Sequence, residues 1–157
     1  MIPLQQFSGQ KVQMMKETAK KESGCSKHKI ISAMSEQAML KRFASDEDCL
    51  EYLAGEKWKD GFNCRKCGHT NWCKGKAPYS RRCTKCKHEE SACSHTFFHH
   101  CKIPLKDAFR IAWLVCHQPD ISSYELSRRF NIRQMTCWRF KKRVCECLEE
   151  KGEFGVV

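Results

Sequence analysis

The chain has 157 residues and carries 29 lysine and arginine residues against 18 aspartate and glutamate residues, a formal net charge of +11. This length fits one modest domain or two small modules, and the charge favours a polyanionic partner, nucleic acid or an anionic membrane surface. No segment approaches the ~18 consecutive apolar residues of a membrane span, and no export signal begins the chain, so we expect a soluble, cytoplasmic, nucleoid-associated protein without a membrane partner.

Thirteen cysteines are far more than a chain of this length usually contains. In an exported protein they would suggest disulfides, whereas in a reducing compartment paired Cys-x-x-Cys spacings indicate a metal site. Because no export signal is present, we interpret the paired cysteines as metal-binding thiolates.

The first third of the chain changes from a polar arm to a helical segment. Residues 1–33 contain few large apolar side chains, so we expect a flexible basic arm there, and Met34 is an alternative start of translation. We expect residues 34–58 to be helical. Within them Ser45 precedes three acidic residues, the pattern of a helix N-terminus, which predicts a helix over about 46–54.

The strongest motif is a cysteine quartet with the spacing Cys64-x2-Cys67-x15-Cys83-x2-Cys86. Two residues between cysteines let one tight turn present two thiolates, and the fifteen intervening residues allow a hairpin to return the second pair to the first. Four cysteine ligands at about 2.3 Å complete the tetrahedral coordination of zinc and leave no open position for catalysis. The motif therefore predicts one structural zinc ion.

We assign residues 59–101 to this zinc ribbon, with hairpin arms near 71–74 and 79–82. Two alternatives remain for its metal chemistry. The quartet could instead be buried or redox-active thiols. A second ion could also bind after the second cysteine pair, although the spacing there matches no common site and packed or exposed side chains are the other interpretation. The residues concerned are Cys93, His95, His99, His100 and Cys101.

We predict three helices within residues 102–150 and a tail over residues 151–157. Apolar side chains recur at helical spacing over 104–117, a capping box begins a second helix over 122–130, and a third helix covers about 133–149. These proportions are typical of a helix-turn-helix, whose last helix enters the major groove of DNA. We therefore expect a small α+β fold: short antiparallel hairpins around one zinc ion, followed by a three-helix helix-turn-helix.

Basic side chains on the predicted ribbon and helices are the candidate contacts to double-stranded DNA. Glutamine can pair with adenine and arginine with guanine, whereas phosphate contacts set affinity rather than sequence choice. The residues expected on or beside the base-reading face are Gln134, Met135, Arg139 and Lys142. Those expected to reach phosphates are Arg128, Arg129, Arg133, Lys141 and Arg143, and in the ribbon Lys74, Lys76, Arg81 and Arg82. The alternative is an ordinary helical core with a solvated basic face.

The order of these pieces resembles the N-terminal region of zinc-ribbon insertion-sequence transposases. The matching residues are Asp48-Cys49-Leu50, Tyr52-Leu53, Trp58-x-Asp60-Gly61-Phe62-x-Cys64, the rest of the quartet, Ser91 to Phe97, Ile103-Pro104-Leu105, Glu125-Leu126 and Thr136-Cys137-Trp138-Arg139. The resemblance implies recognition of transposon ends in DNA transposition. The departures are Arg65 in place of a proline, His95 in place of a glycine and Cys137 in place of an alanine.

In that family a ribonuclease-H-like domain with three metal-binding acids follows the helix-turn-helix. Too few residues follow the last predicted helix to build a two-metal site, whose carboxylates surround ions about 3.5–4 Å apart. We therefore expect a region truncated before the nuclease domain, not catalytic alone, with self-association or a partner catalytic subunit. The alternatives are a stand-alone DNA-binding regulator, a zinc-ribbon protein-interaction module and a thiol redox protein.

Overall fold

The computed structural model describes residues 30–151, which form six helices and three short strands. In chain order these are helices α1 (Ile30–Ala33), α2 (Glu36–Arg42) and α3 (Asp46–Lys57), strands β1 (Trp72–Lys74), β2 (Arg81–Cys83) and β3 (Glu89–Glu90), and helices α4 (Leu105–His117), α5 (Ser123–Phe130) and α6 (Gln134–Lys151). The predicted arm and tail lie outside the described residues, except that 30–33 form α1 and 151 ends α6. No helix of the described part is long and apolar enough to cross a membrane.

Serine caps begin α2 and α3, the last two helices before the ribbon. The Ser35 hydroxyl accepts a hydrogen bond from the backbone of α2 at 3.3 Å. At α3 the capping box is complete, because Ser45 Oγ accepts from the Asp48 amide at 3.2 Å and the Asp48 carboxylate accepts from the Ser45 amide at 2.9 Å. The predicted helix at 46 is therefore confirmed at its start, and it continues through Gly55 to Lys57.

The three strands form one antiparallel sheet in the order β1-β2-β3. The predicted hairpin is present: Trp72 pairs with Cys83 and Lys74 with Arg81. The third strand was not predicted. It consists of two residues paired to β2, too short for an alternating pattern to reveal it in the sequence.

The last three helices pack on one another, with α6 against both α4 and α5. The Ser122 hydroxyl caps α5 by accepting from the Glu125 amide at 3.0 Å. Asn131 ends α5 in the left-handed conformation, with φ 52° and ψ 45°, and its amide donates to the Ser127 carbonyl. Asparagine tolerates this conformation better than most residues, so the chain reverses there before α6 begins at Gln134.

One aromatic core joins the segment after the ribbon to helices from both ends of the chain. The Phe98 ring stacks on Phe109 of α4 with 4.4 Å between ring centroids. Phe43 lies 4.8 Å from Phe109 and 5.3 Å from Tyr52 of α3. Phe140 of α6 completes the group at 6.3 Å from Phe98. The ribbon therefore does not stand apart from the helices.

A buried ion pair ties α3 to β3. Lys57 Nζ lies 2.7 Å from Glu90 Oε1, and the two side chains are only 6% and 4% exposed. The same ammonium donates to the carbonyls of Ser91 and Ser94 at 2.8 and 2.7 Å. Burial lowers the pKa of Lys57, and the Glu90 carboxylate opposes this shift. Arg65 contacts Glu90 from the solvent side at 3.3 Å.

Replacing Glu90 with glutamine should destabilise the protein, because the Lys57 ammonium would stay buried without its counter-charge. We expect Glu90→Gln to lower the free energy of unfolding by about 3 kcal/mol in urea titrations. The matched control is Arg65→Ala, which removes the exposed partner of the same carboxylate and should cost less than about 1 kcal/mol. Equal losses in the two variants would contradict the assigned role of Lys57.

Candidate metal centre and basic surfaces

Each cysteine pair lies on a tight turn that ends in a left-handed residue. Gly68 has φ 70° and its amide donates to the Cys64 carbonyl at 2.7 Å. Lys87 has φ 62° and its amide donates to the Cys83 carbonyl at 3.1 Å. The two turns are therefore built alike. Glycine adopts this conformation readily but lysine does not, so the cysteine spacing predicts the second turn and the sequence gives no sign of the positive φ at Lys87.

The two turns bring the four cysteine sulfurs together. All four Sγ atoms lie within 4.8 Å of one another, with Cys64 and Cys86 separated by 3.5 Å and Cys67 and Cys83 by 3.6 Å. A tetrahedral ion about 2.3 Å from each sulfur requires sulfur–sulfur distances of about 3.8 Å. The quartet therefore fits a single four-coordinate metal ion, as the spacing predicts.

The backbone at the second pair favours the thiolate. Burial by itself would raise the pKa of Cys83, but hydrogen bonds from the amides of Cys86 and Lys85 and contacts with the other thiols lower it to about 6. The thiolate is the form of cysteine that binds metal ions. The turn at the second pair therefore stabilises the form of Cys83 that a metal ion requires.

The turn of the β1–β2 hairpin is closed by Glu89, a residue that the sequence analysis did not identify. Its carboxylate accepts from the Ser80 hydroxyl at 2.8 Å and from the amides of Lys76 and Ala77 at 2.8 and 3.3 Å. The Ser80 hydroxyl and these amides hold the pKa of Glu89 below its ordinary value. A Cβ on Gly75 would meet Ser80 Oγ and lie 2.6 Å from the Glu89 carboxylate, so a larger residue here would displace the side chains that close the turn.

Strand alternation divides the basic residues predicted on the ribbon. Lys74 and Arg81 pair across the strands, whereas Arg82 pairs with Glu89 and points to the opposite face. The Arg81 guanidinium lies 4.0 Å from the Trp72 ring centroid and 4.6 Å from that of Trp58. Arg81 is thus held between two tryptophans. Lys76 lies exposed in the hairpin turn.

Several basic residues of α6 border a cleft beside the segment that follows the ribbon. The cleft has a volume of about 380 Å³. Its lining includes the predicted residues Arg133, Met135, Arg139 and Arg143. Gln134 and Lys142 are also exposed on this helix. On α5, the Arg128 guanidinium carbon lies 5.8 Å from the ring centroid of Tyr124.

Three of the predicted phosphate contacts already have partners within the protein. Lys141 Nζ donates to the Ile121 carbonyl at 2.7 Å. Arg143 donates to the Phe97 carbonyl at 2.7 Å and lies 4.8 Å from the Phe97 ring. Arg129 forms an exposed ion pair with Glu36 of α2 at 3.3 Å. These contacts connect distant segments of the chain, so charge in the sequence could not reveal them.

The cysteines and histidines of residues 93–101 do not gather into a second group of metal ligands. Within residues 30–151, the ribbon quartet is the one group of three or more cysteine, histidine or acidic side chains whose ligand atoms lie close enough together to share a metal ion. Instead the His95 amide donates to His99 Nδ1 at 3.0 Å, and Cys93 and Cys101 are partly buried against the core. His95, where the resembled family carries glycine, has φ 60°.

A comparison with known families bears on this geometry. Residues 44–89 match the family model of the transposase zinc-ribbon domain. The match spans α3, both cysteine pairs and the hairpin between them, and it confirms the resemblance over this segment, less than a third of the chain. No curated protein and no solved structure matched the chain.

The turn of the β1–β2 hairpin should be weakened by a side chain at Gly75. Gly75→Ala would push Ser80 and Glu89 out of the turn, and we expect a loss of about 1–3 kcal/mol in unfolding free energy. Gly55→Ala is the matched control. Its Cβ would meet nothing within 4 Å and would replace a glycine inside α3, a change expected to stabilise by about 0.5–1 kcal/mol. The same urea titration measures both, and a stabilising Gly75→Ala would contradict the role of Glu89.

Proposed function

We propose that this chain contains the DNA-binding region of an insertion-sequence transposase, which recognises transposon ends in double-stranded DNA. The charge distribution on α5 and α6 carries the proposal. Between Glu125 and Glu146 the sequence has seven basic residues and no acidic one. Arg128, Arg133 and Arg139 among them are exposed, and a basic surface of this kind attracts the phosphate backbone. The match of the ribbon to the transposase family is a second, independent support.

In this proposal α5 and α6 act as a helix-turn-helix, with α4 as the supporting helix. The turn at Asn131 gives the pair the short connection of that motif. The first turns of α6 enter the major groove, where Gln134 and Arg139 read base edges and Arg133 contacts a phosphate. Lys142 is exposed one turn further along.

We propose that the quartet Cys64, Cys67, Cys83 and Cys86 binds one structural zinc ion. The sulfur separations of 3.5 and 3.6 Å support this ligand set, and a closed set of four thiolates favours a structural over a catalytic role. Zinc binding supplies about 10–16 kcal/mol in zinc-finger peptides, so it would be a large part of the free energy that holds a sheet of eight strand residues together.

The zinc assignment predicts a metal content that depends on the quartet alone. The purified protein should contain one zinc ion per chain by atomic emission spectroscopy. Cys83→Ser should lose most of the metal, whereas Cys73→Ser should keep it, because Cys73 lies on the same hairpin and its sulfur contacts the Arg82 carbonyl instead. Two ions per chain, or full occupancy in Cys83→Ser, would contradict the assignment.

The DNA-binding proposal predicts how salt affects affinity. On a duplex selected from a random pool, Arg133→Ala should reduce the slope of log affinity against log salt by about 0.9, the contribution of one phosphate contact. Lys41→Ala, an exposed lysine on α2, is the matched control and should leave the slope unchanged. Fluorescence anisotropy at several salt concentrations measures both. Absence of binding even at low salt would contradict the proposal.

A further inference from the structure

Helix α6 exposes two large apolar side chains in its first two turns. Met135 is 50% and Trp138 is 49% exposed, although most large apolar residues of the described chain are buried. They are three residues apart, so they lie side by side on the helix surface. A shallow groove of about 530 Å³ runs along them. Its other lining residues are Ser123, Arg133 and Gln134.

The surroundings of these two side chains are basic rather than apolar. Arg133 and Arg139 are exposed on either side, and Lys142 Nζ lies 5.6 Å from the Trp138 ring centroid. Tryptophan, methionine and arginine are all enriched in protein–protein interfaces, so the exposed apolar side chains do not by themselves select the partner. The charge does: residues 126–145 include no acidic residue, and this favours a polyanion. The setting therefore suits an apolar group carried by a polyanion.

Major-groove base edges of DNA offer one such group, the 5-methyl group of thymine. Gln134 borders the same groove, and its amide matches the donor and acceptor of adenine. A protein surface that presents an amide beside two apolar side chains therefore matches adjacent A·T pairs.

We infer that Met135 and Trp138 are specificity-determining residues that contact thymine methyl groups within the DNA target of this chain. The inference rests on the proposed function, specifically on the entry of α6 into the major groove. Loss of one buried methyl group should weaken binding about fourfold, the equivalent of about 0.8 kcal/mol.

Deoxyuridine provides the test, because it removes the methyl group and leaves base pairing intact. A duplex is first selected with the full chain from a random pool, and each thymine is then replaced in turn by deoxyuridine. For the unmodified protein we expect about fourfold weaker binding at one or two neighbouring thymines and no change at the others.

Variants assign this effect to the two side chains. In Met135→Ala and Trp138→Ala the sensitivity to deoxyuridine should fall below twofold, while Met135→Leu should keep it. Leu40→Ala is the matched control: Leu40 is 43% exposed on α2, and its removal should leave the sensitivity unchanged. All of these side chains are exposed, and circular dichroism verifies that each variant is folded.

The inference is wrong if the selected duplex binds equally well with and without every thymine methyl, or if both alanine variants keep the fourfold effect. It is also wrong if Trp138→Ala changes only the sedimentation coefficient, which would assign the surface to self-association. A pool that yields no bound duplex at low salt is a different result, since that outcome overturns the proposed function itself.

Discussion

The convergence of four cysteine sulfurs constrains the path of the chain between residues 64 and 86. Two turns of the same construction present the sulfurs, and the segment between them returns as a hairpin. This geometry also determines where the next residues lie. Glu89 reaches back to close the hairpin turn, and Glu90 faces Lys57 of α3. The cysteine quartet thereby lies next in the chain to the buried ion pair that joins the ribbon to the preceding helix.

The same constraint extends to the helices at the C-terminal end. After the ribbon the chain runs directly into the aromatic core, where Phe98 stacks on Phe109 of α4. The neighbouring carbonyl of Phe97 accepts a hydrogen bond from Arg143 of α6. Besides its packing on α4 and α5, α6 is therefore held by a segment close to the ribbon. A DNA-binding role for α6 would in this way depend on a metal site that need not itself contact DNA.

Local signals explain what the sequence could predict. Cysteine spacing, serine caps and apolar periodicity depend on neighbouring residues, and they identified the quartet, the hairpin and the starts of α3, α4, α5 and α6. The features that were missed depend on contacts between distant residues. The two-residue strand Glu89–Glu90 has no pattern of its own, and Lys87 gives no sign of its positive φ. Lys141 looks like a phosphate contact by its charge, although its ammonium is bonded to Ile121.

The central claim is that the metal-organised ribbon holds α6 in position for DNA. The most direct test compares the DNA affinity of the zinc-free protein, prepared by dialysis against a chelator, with that of the same sample after one equivalent of zinc is restored. If zinc binding and DNA binding are coupled, the protein should bind DNA at least about tenfold more weakly without zinc and should recover its full affinity when zinc is restored. Equal affinity in the two states would contradict the claim.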